Sequence, residues 1–184
     1  MASGKNQTLV ALLRGINVGT AKRVSMADLK ALVEELGYGN VRTLLNSGNV
    51  VFTGPAKAEP VKVAARIEPA IVAKTGVSSR VTVITAAEVA HVVEQNPLSR
   101  IAKDHSRLLV AVAADPSLWK PIVAMEKSWD PEAFQVSQRF AWVWVPNGVL
   151  ESKVLGVVNK VLKEAVTVRN FATMLKLDAA CRAI

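Results

Sequence analysis

The chain has 184 residues and is 51% hydrophobic but only 5% aromatic, so it holds one large domain or two small halves with a core of Val, Leu, Ile and Ala. That apolar content excludes a disordered chain, no run reaches the roughly 18 apolar residues of a spanning helix, and the lone Cys181 excludes an internal disulfide. A net charge of +8 points to phosphate, nucleic acid or acidic surfaces, although Lys22, Arg23, Arg42, Arg80, Arg100, Lys103, Lys160, Lys163, Lys176 and Arg182 are scattered and form no dense run.

The start, Met1 to Gln7, is polar, and the apolar run from Leu9 to Leu13 is too short for a signal peptide. With no cysteine framework, the chain reads as cytoplasmic. Gln7 to Leu13 is nearly continuous apolar sequence, the pattern of a strand buried on both faces. Ser25 to Leu36 reads as a helix: Ser25 and Asp28 form a capping start, Leu29, Leu32, Val33 and Leu36 share a face, and Gly37 stops it. Val41 to Leu45 and Val50 to Thr53 read as strands joined by a turn at Ser47-Gly48. Glu59 to Thr75 has helical spacing at Val63, Ile67 and Ile71, with Pro69 expected to kink or split it. Arg80 to Ile84 alternates as a strand. Thr85 with Glu88 caps a helix carried by Val89, Val92 and Val93 and stopped at Asn96-Pro97.

The pattern then recurs. Leu108 to Ala113 reads as a buried strand, and Asp115 to Glu126 as a helix that Pro121 shortens. Phe134 to Ser137 and Phe140 to Val145 form a second hairpin. Ser152 to Ala165 is a helix with Leu155, Val158, Leu162 and Ala165 on one face, and Thr167 to Arg169 a short last strand. Asn170 caps a terminal helix burying Phe171, Met174 and Leu175. The order βαββαβ thus occurs once completely and once nearly so. The fold expected is α+β: two ferredoxin-like (βαββαβ) halves with antiparallel sheets and helices on one face of each. The expected division is 7–84 for the first half, 85–106 for a connecting helix and loop, and 107–184 for the second, packed as one unit.

Two stretches stand out: Leu12 to Gly19 (LLRGINVG) and Asn46 to Phe52 (NSGNVVF). Each joins a strand to a small, polar, glycine-punctuated turn. In a βαββαβ half the first strand ends at the same edge as the turn between strands two and three. Arg14, Asn17, Lys22 and Arg23 would therefore approach Ser47 and Asn49. Backbone amides at Gly15, Gly19 and Gly48 lack a neighbouring Cβ, and the helix beginning near Ser25 points its positive end the same way. Together these favour an anion such as phosphate or carboxylate. The structural alternative is that Arg14 ties down carbonyls, Asn17 holds a left-handed turn, and residues 46–49 are hairpin chemistry. The spacing from Gly15 to Lys22 is not that of a P-loop.

These motifs, with Met26 to Leu29, Thr167 to Asn170, and Leu175 to Leu177, resemble an uncharacterised bacterial family, a domain of unknown function (DUF number 1697). The resemblance runs from about residue 8 to about residue 180. It implies a small cytoplasmic α+β protein and no particular substrate. Such sequences commonly carry a second Gly and then Asn or Lys after Asn-Val-Gly, where this chain has Thr20, Ala21 and Lys22. Phe171 stands where Trp is usual.

A second polar group comprises Ser152 and Lys153 with Thr167, Arg169 and Asn170. Arg169 offers a forked donor suited to an oxyanion. The alternative is capping by Ser152 and Asn170 with a structural Arg169. The expectation for ligand binding is that this group joins the opening loop in one cleft. Phe140, Trp142 and Trp144 alternate on one strand face. An open sheet could stack nucleic-acid bases there, but core packing or a subunit interface accounts for the stripe better, because no aromatic partner lies on the adjacent strand.

His91, His105 and Cys181 have no metal-ligand spacing around them, and no cofactor or metal is expected. There is no Gly-x-Ser-x-Gly elbow and no carboxylate pair set for acid–base work. The sequence supports binding of a small anionic or phosphorylated ligand, with turnover undecided. The donors are Arg14, Gly15, Asn17, Ser47, Gly48, Asn49, Arg169 and Asn170, with charge from Lys22 and Lys153. The alternatives are a nucleic-acid-binding module and an interaction domain using the Phe140/Trp142/Trp144 strand. A monomer or weak homodimer without a membrane partner is expected.

Overall fold

Strand β1 (Gln7–Leu13) has Leu9 to Leu13 fully buried, as its unbroken apolar run requires. The computed structural model describes residues 6–19, 22–125 and 128–184. Thr20 and Ala21, residues 1–5 of the polar start, and the expected helix end at Glu126 lie outside the described residues. After β1 come α1 (Met26–Glu35), β2 (Gly39–Leu44), β3 (Asn49–Gly54), α2 (Pro60–Thr75) and β4 (Val81–Thr85). The four strands make an antiparallel sheet in the order β2-β3-β1-β4.

Helix α1 begins where Ser25 accepts a hydrogen bond from the Asp28 amide, and it buries Leu29, Leu32 and Val33. Helix α2 buries Val63, Ile67 and Ile71. Both pack on the sheet face made by Leu9, Ala11, Leu13, Val50, Phe52 and Val83. Burying each of the larger side chains contributes about 2 kcal/mol. Pro69 does not split α2, which runs unbroken from Pro60 to Thr75. Pro69 cannot donate to the Ala65 carbonyl, but both residues are exposed, on the side of the helix where solvent can replace the lost bond.

After β4 comes α3 (Ala86–Glu94). Its start is a reciprocal capping box: the Thr85 amide donates to Glu88 Oε2 (2.8 Å) and the Glu88 amide to Thr85 Oγ1 (3.2 Å). Then come β5 (Leu108–Ala113), a 3₁₀ turn at Pro116–Trp119, α4 (Lys120–Val123), β6 (Ala133–Ser137), β7 (Phe140–Trp144), α5 (Lys153–Leu162), a 3₁₀ turn at Lys163–Ala165, β8 (Val166–Asn170) and α6 (Phe171–Arg182). The strand order β6-β7-β5-β8 repeats that of the first sheet. The helix expected from Asp115 is the 3₁₀ turn followed by one α-turn. Pro121 has no amide to bond the Ser117 carbonyl, which instead accepts from the Lys120 amide.

The architecture is therefore α+β, with two similar halves that each hold a four-stranded antiparallel sheet. Residues up to Ala90 together with Lys176–Ile184 form one compact unit, and His91–Leu175 the other. In the second unit, Leu109, Ala111, Ala113, Ala141 and Val143 face the helices, with Trp119, Val154, Val158 and Leu162 packed on them. Phe140 and Trp142 lie on the opposite face and are fully buried, and the Trp142 indole donates to the Val92 carbonyl (3.3 Å). These two rings are core and offer no open stacking surface.

Candidate functional site

At the C-terminal end of β1 the chain leaves the sheet through residues 14–25, and the β2–β3 turn closes beside it. The Leu13 amide donates to the Gly48 carbonyl (2.8 Å) and the Arg14 amide to the Arg80 carbonyl (2.9 Å). Ser79 Oγ donates to the Arg14 carbonyl (2.9 Å). The two motifs read from the sequence thus meet at one edge, and the segment before β4 completes it.

Asn17 is the hub of this edge. Its backbone is left-handed, with φ 54°, a conformation that asparagine accepts more readily than most residues. Its side-chain Nδ2 donates to the Val24 carbonyl (2.9 Å) and the Asn46 carbonyl (2.8 Å). Its Oδ1 accepts from the Val24 amide (2.9 Å), and its own amide donates to the Lys22 carbonyl (3.0 Å). Both amide hydrogens are engaged, so the Asn17 side chain shapes the loop.

Gly48 is fixed by close approach as well as by its φ of 75°. A Cβ there would lie 2.7 Å from both Ile16 Cδ1 and Leu13 Cβ. Ile16, buried at the base of the loop, therefore seats the loop on the turn. Asn49 is fully buried and donates to the Leu44 carbonyl (2.9 Å) and Ser47 Oγ (3.0 Å), so it serves the hairpin from within the sheet. Gly15 and Gly19 are exposed and left-handed, with open space where a Cβ would stand. Ser47 and Lys22 are exposed, and Arg14 is half-buried. Of the residues expected to bind a ligand here, Gly15, Lys22 and Ser47 are exposed and Arg14 is half-buried, while Asn17, Gly48 and Asn49 hold the edge together.

The helix N-terminus at this edge already has an anion. Asp28 lies in the first turn of α1 and accepts from Ser25 Oγ (2.9 Å), so its carboxylate meets the positive end of the helix. Glu68 of α2 accepts from the Val81 amide (2.9 Å) and pairs with Arg80 (3.4 Å). Ser79, Arg80 and Glu68 are contributors that sequence reasoning missed. Their signal was only the Ser78-Ser79-Arg80 stretch before a strand.

The C-terminal group is arranged differently. The start of α5 is capped from a distant loop: Glu132 accepts from Ser152 Oγ (2.6 Å), the Lys153 amide (2.7 Å) and the Val154 amide (3.3 Å). This carboxylate occupies the place an anionic ligand would take. Lys153 itself is exposed. Asn170 Oδ1 accepts from the Thr173 amide (2.9 Å) and caps α6. Arg169 pairs across β5 with Val110, on the face away from the helices, and donates to the Val168 carbonyl (2.9 Å). Burial lowers its pKa to about 10, so it remains a cation at neutral pH. Lys153 and Arg169 thus share one end of the second sheet but stand on opposite sides of it.

Among the described residues, no group of three or more His, Cys, Asp or Glu is placed to hold a metal ion, and no helix is long and apolar enough to cross a membrane. Burial and Asp178 raise the Cys181 thiol to about 11, which removes it as a nucleophile at neutral pH.

Comparison with solved structures places the same fold in a conserved bacterial protein, SP0830, from Streptococcus pneumoniae. The TM-score is 0.76 at 20% identity, over 97% of this chain and 99% of that one. No protein with a curated description matches this chain. The model of the family described as "Protein of unknown function (DUF1697)" matches residues 7–142, from β1 through most of β7, and includes both edge motifs. The chain belongs to that family.

Proposed function

We propose that the edge formed by the Arg14–Asn17 loop and the Ser47–Asn49 turn binds a small anionic ligand, a phosphate or carboxylate. The observation that carries this reading is the double bridge from Asn17 to Val24 and Asn46, which holds the loop rigidly on the turn. The ordering cost is thereby met during folding, and Gly15, Gly19, Ser47, Lys22 and Arg14 are left on one preorganised edge. Exposed glycine backbone admits an anion closely, and the Arg14 guanidinium supplies a forked donor. The carboxylates bordering the edge, Asp28 and Glu68, are engaged with Ser25 and with Val81 and Arg80, so they make poor general bases. The reading is therefore binding by oriented donors; any turnover would rest on the same donors meeting developing negative charge.

The test is a titration with inorganic phosphate followed by ¹H–¹⁵N NMR. The amides of Gly15, Gly19 and Ser47 should shift together and saturate. In Arg14→Ala the shifts should disappear while the unfolding free energy from urea denaturation stays within about 0.5 kcal/mol of the parent. Shifts that persist in Arg14→Ala, or a protein that unfolds without any anion effect in the parent, would make Arg14 structural and remove the reading.

A further inference from the structure

The same edge carries two side chains that a free anion does not need. Val18 and Leu45 expose 72% and 46% of their surface. They flank Asn17 and Asn46, whose hydrogen bond is 2.8 Å long, so the bridge that fixes the loop also keeps both aliphatic groups at one tip. Leu45 has a left-handed backbone, φ 59°, which bulky L-residues rarely adopt. The turn thus retains a solvent-facing leucine at a position where Asn or Gly would fit with less strain and less exposed apolar surface.

The loop that carries Val18 also carries two cations. Lys22 and Arg23 are exposed on the same loop, and the Lys22 carbonyl accepts the Asn17 amide (3.0 Å). The aliphatic groups sit on two loops that meet at this edge. A stable protein interface needs about 800 Å² per partner, far more than two side chains supply. A water–lipid boundary has no such requirement. There, a few aliphatic groups enter at headgroup depth while neighbouring cations meet phosphates.

We propose that this edge docks peripherally on an anionic phospholipid surface, with Val18 and Leu45 inserted at the headgroup boundary and Lys22 and Arg23 against lipid phosphates. The inference rests on the anion-binding reading and assigns the anion to a lipid headgroup. The expectation of no membrane partner rested on the lack of a spanning run, and surface docking needs none.

The test is co-sedimentation of the full chain with vesicles of phosphatidylcholine alone or mixed with phosphatidylglycerol, beside the phosphate titration. The chain should sediment with the anionic vesicles only. The double variant Val18→Ser, Leu45→Ser should lose roughly tenfold in partitioning, with unchanged circular dichroism and unchanged phosphate shifts. Lys22→Gln should lose about fivefold. Full retention by the double variant would overturn the proposal, because charge alone would explain the attraction. Phosphate binding without vesicle binding would overturn the lipid assignment and leave the anion-binding reading standing; loss of both would end both. Concentration-dependent self-association that the double variant abolishes would name a second copy as the occupant and overturn it as well.

Discussion

The first and second sheets share a strand order but differ in the connection that leaves their first strand. Residues 14–25 lie between β1 and α1, whereas Ala114 and Asp115 alone lie between β5 and the turn at Pro116. The hydrogen bonds at the two edges nevertheless correspond. Leu13 donates to the Gly48 carbonyl where Ala113 donates to Arg139, each at 2.8 Å, and Arg14 donates to Arg80 where Ala114 donates to Ala165. The position that is Gly48 in one sheet is thus Arg139 in the other, with its guanidinium 5.8 Å from the Phe140 ring centroid. A side chain is admitted there when the crossover is short and excluded when Ile16 lies over the turn. The topology is satisfied by two connecting residues. The longer loop of the first unit is not demanded by the fold, and loops of that kind are where binding residues concentrate.

Gly48→Ala breaks this comparison most directly. The new methyl group meets Ile16 and Leu13 at 2.7 Å on a backbone with φ 75°, and the expected loss is about 3 kcal/mol in urea denaturation. Gly148→Ala is the control: its φ is 98° and nothing lies within 4 Å, so only the backbone penalty of about 1 kcal/mol applies. Equal losses at the two sites would show that the loop does not press on the turn.

Asn17 and Asp115 sharpen the contrast, because each organises its own crossover. Asn17→Ala removes three side-chain hydrogen bonds and an asparagine suited to its left-handed backbone, for an expected loss of about 2 kcal/mol. Asp115 accepts from the Ser117 amide and hydroxyl, and these bonds hold its carboxyl below the ordinary 3.8. Its contribution is therefore present above the unfolded carboxylate value and fades as pH falls through the lower, folded one. The Asp115→Ala loss should be the smaller at neutral pH and vanish in acid, while the Asn17→Ala loss stays constant across the same range. An Asn17→Ala loss that faded in parallel would indicate a titrating group in the first crossover.

Legibility in the sequence divides along similar lines. Leu9 to Leu13 and Leu108 to Ala113 announce themselves because strands buried on both faces need unbroken apolar runs. Ser25 with Asp28 and Thr85 with Glu88 mark helix starts because capping is local. The meeting of Arg14 to Asn17 with Ser47 to Asn49 was readable from topology alone. The division of labour within that edge was not. Asn17 and Asn49 have the same donors as a ligand-binding asparagine, and only the carbonyls around them show that they are engaged. Glu132 caps α5 from about twenty residues away in sequence, which leaves no periodic trace. The burial of Phe140 and Trp142 depends on what covers the far face of their sheet, and alternation along a strand does not report that.

Gln138→Gly should give the smallest effect, and its sign is informative. Gln138 is exposed in the β6–β7 turn with φ 53°, so it bears a left-handed backbone without the exemption glycine has. Glycine relieves about 1 kcal/mol of that strain but adds about 0.4–1 kcal/mol of unfolded-chain entropy, which leaves a gain of a few tenths. A gain at position 138 beside a loss at 48 means that glycine is merely tolerated in one hairpin and compelled in the other. A loss at 138 instead would mean that the Gln138 side chain holds its turn as Asn17 holds its loop. The second edge would then be built as deliberately as the first, and the longer crossover would no longer single out the proposed ligand edge.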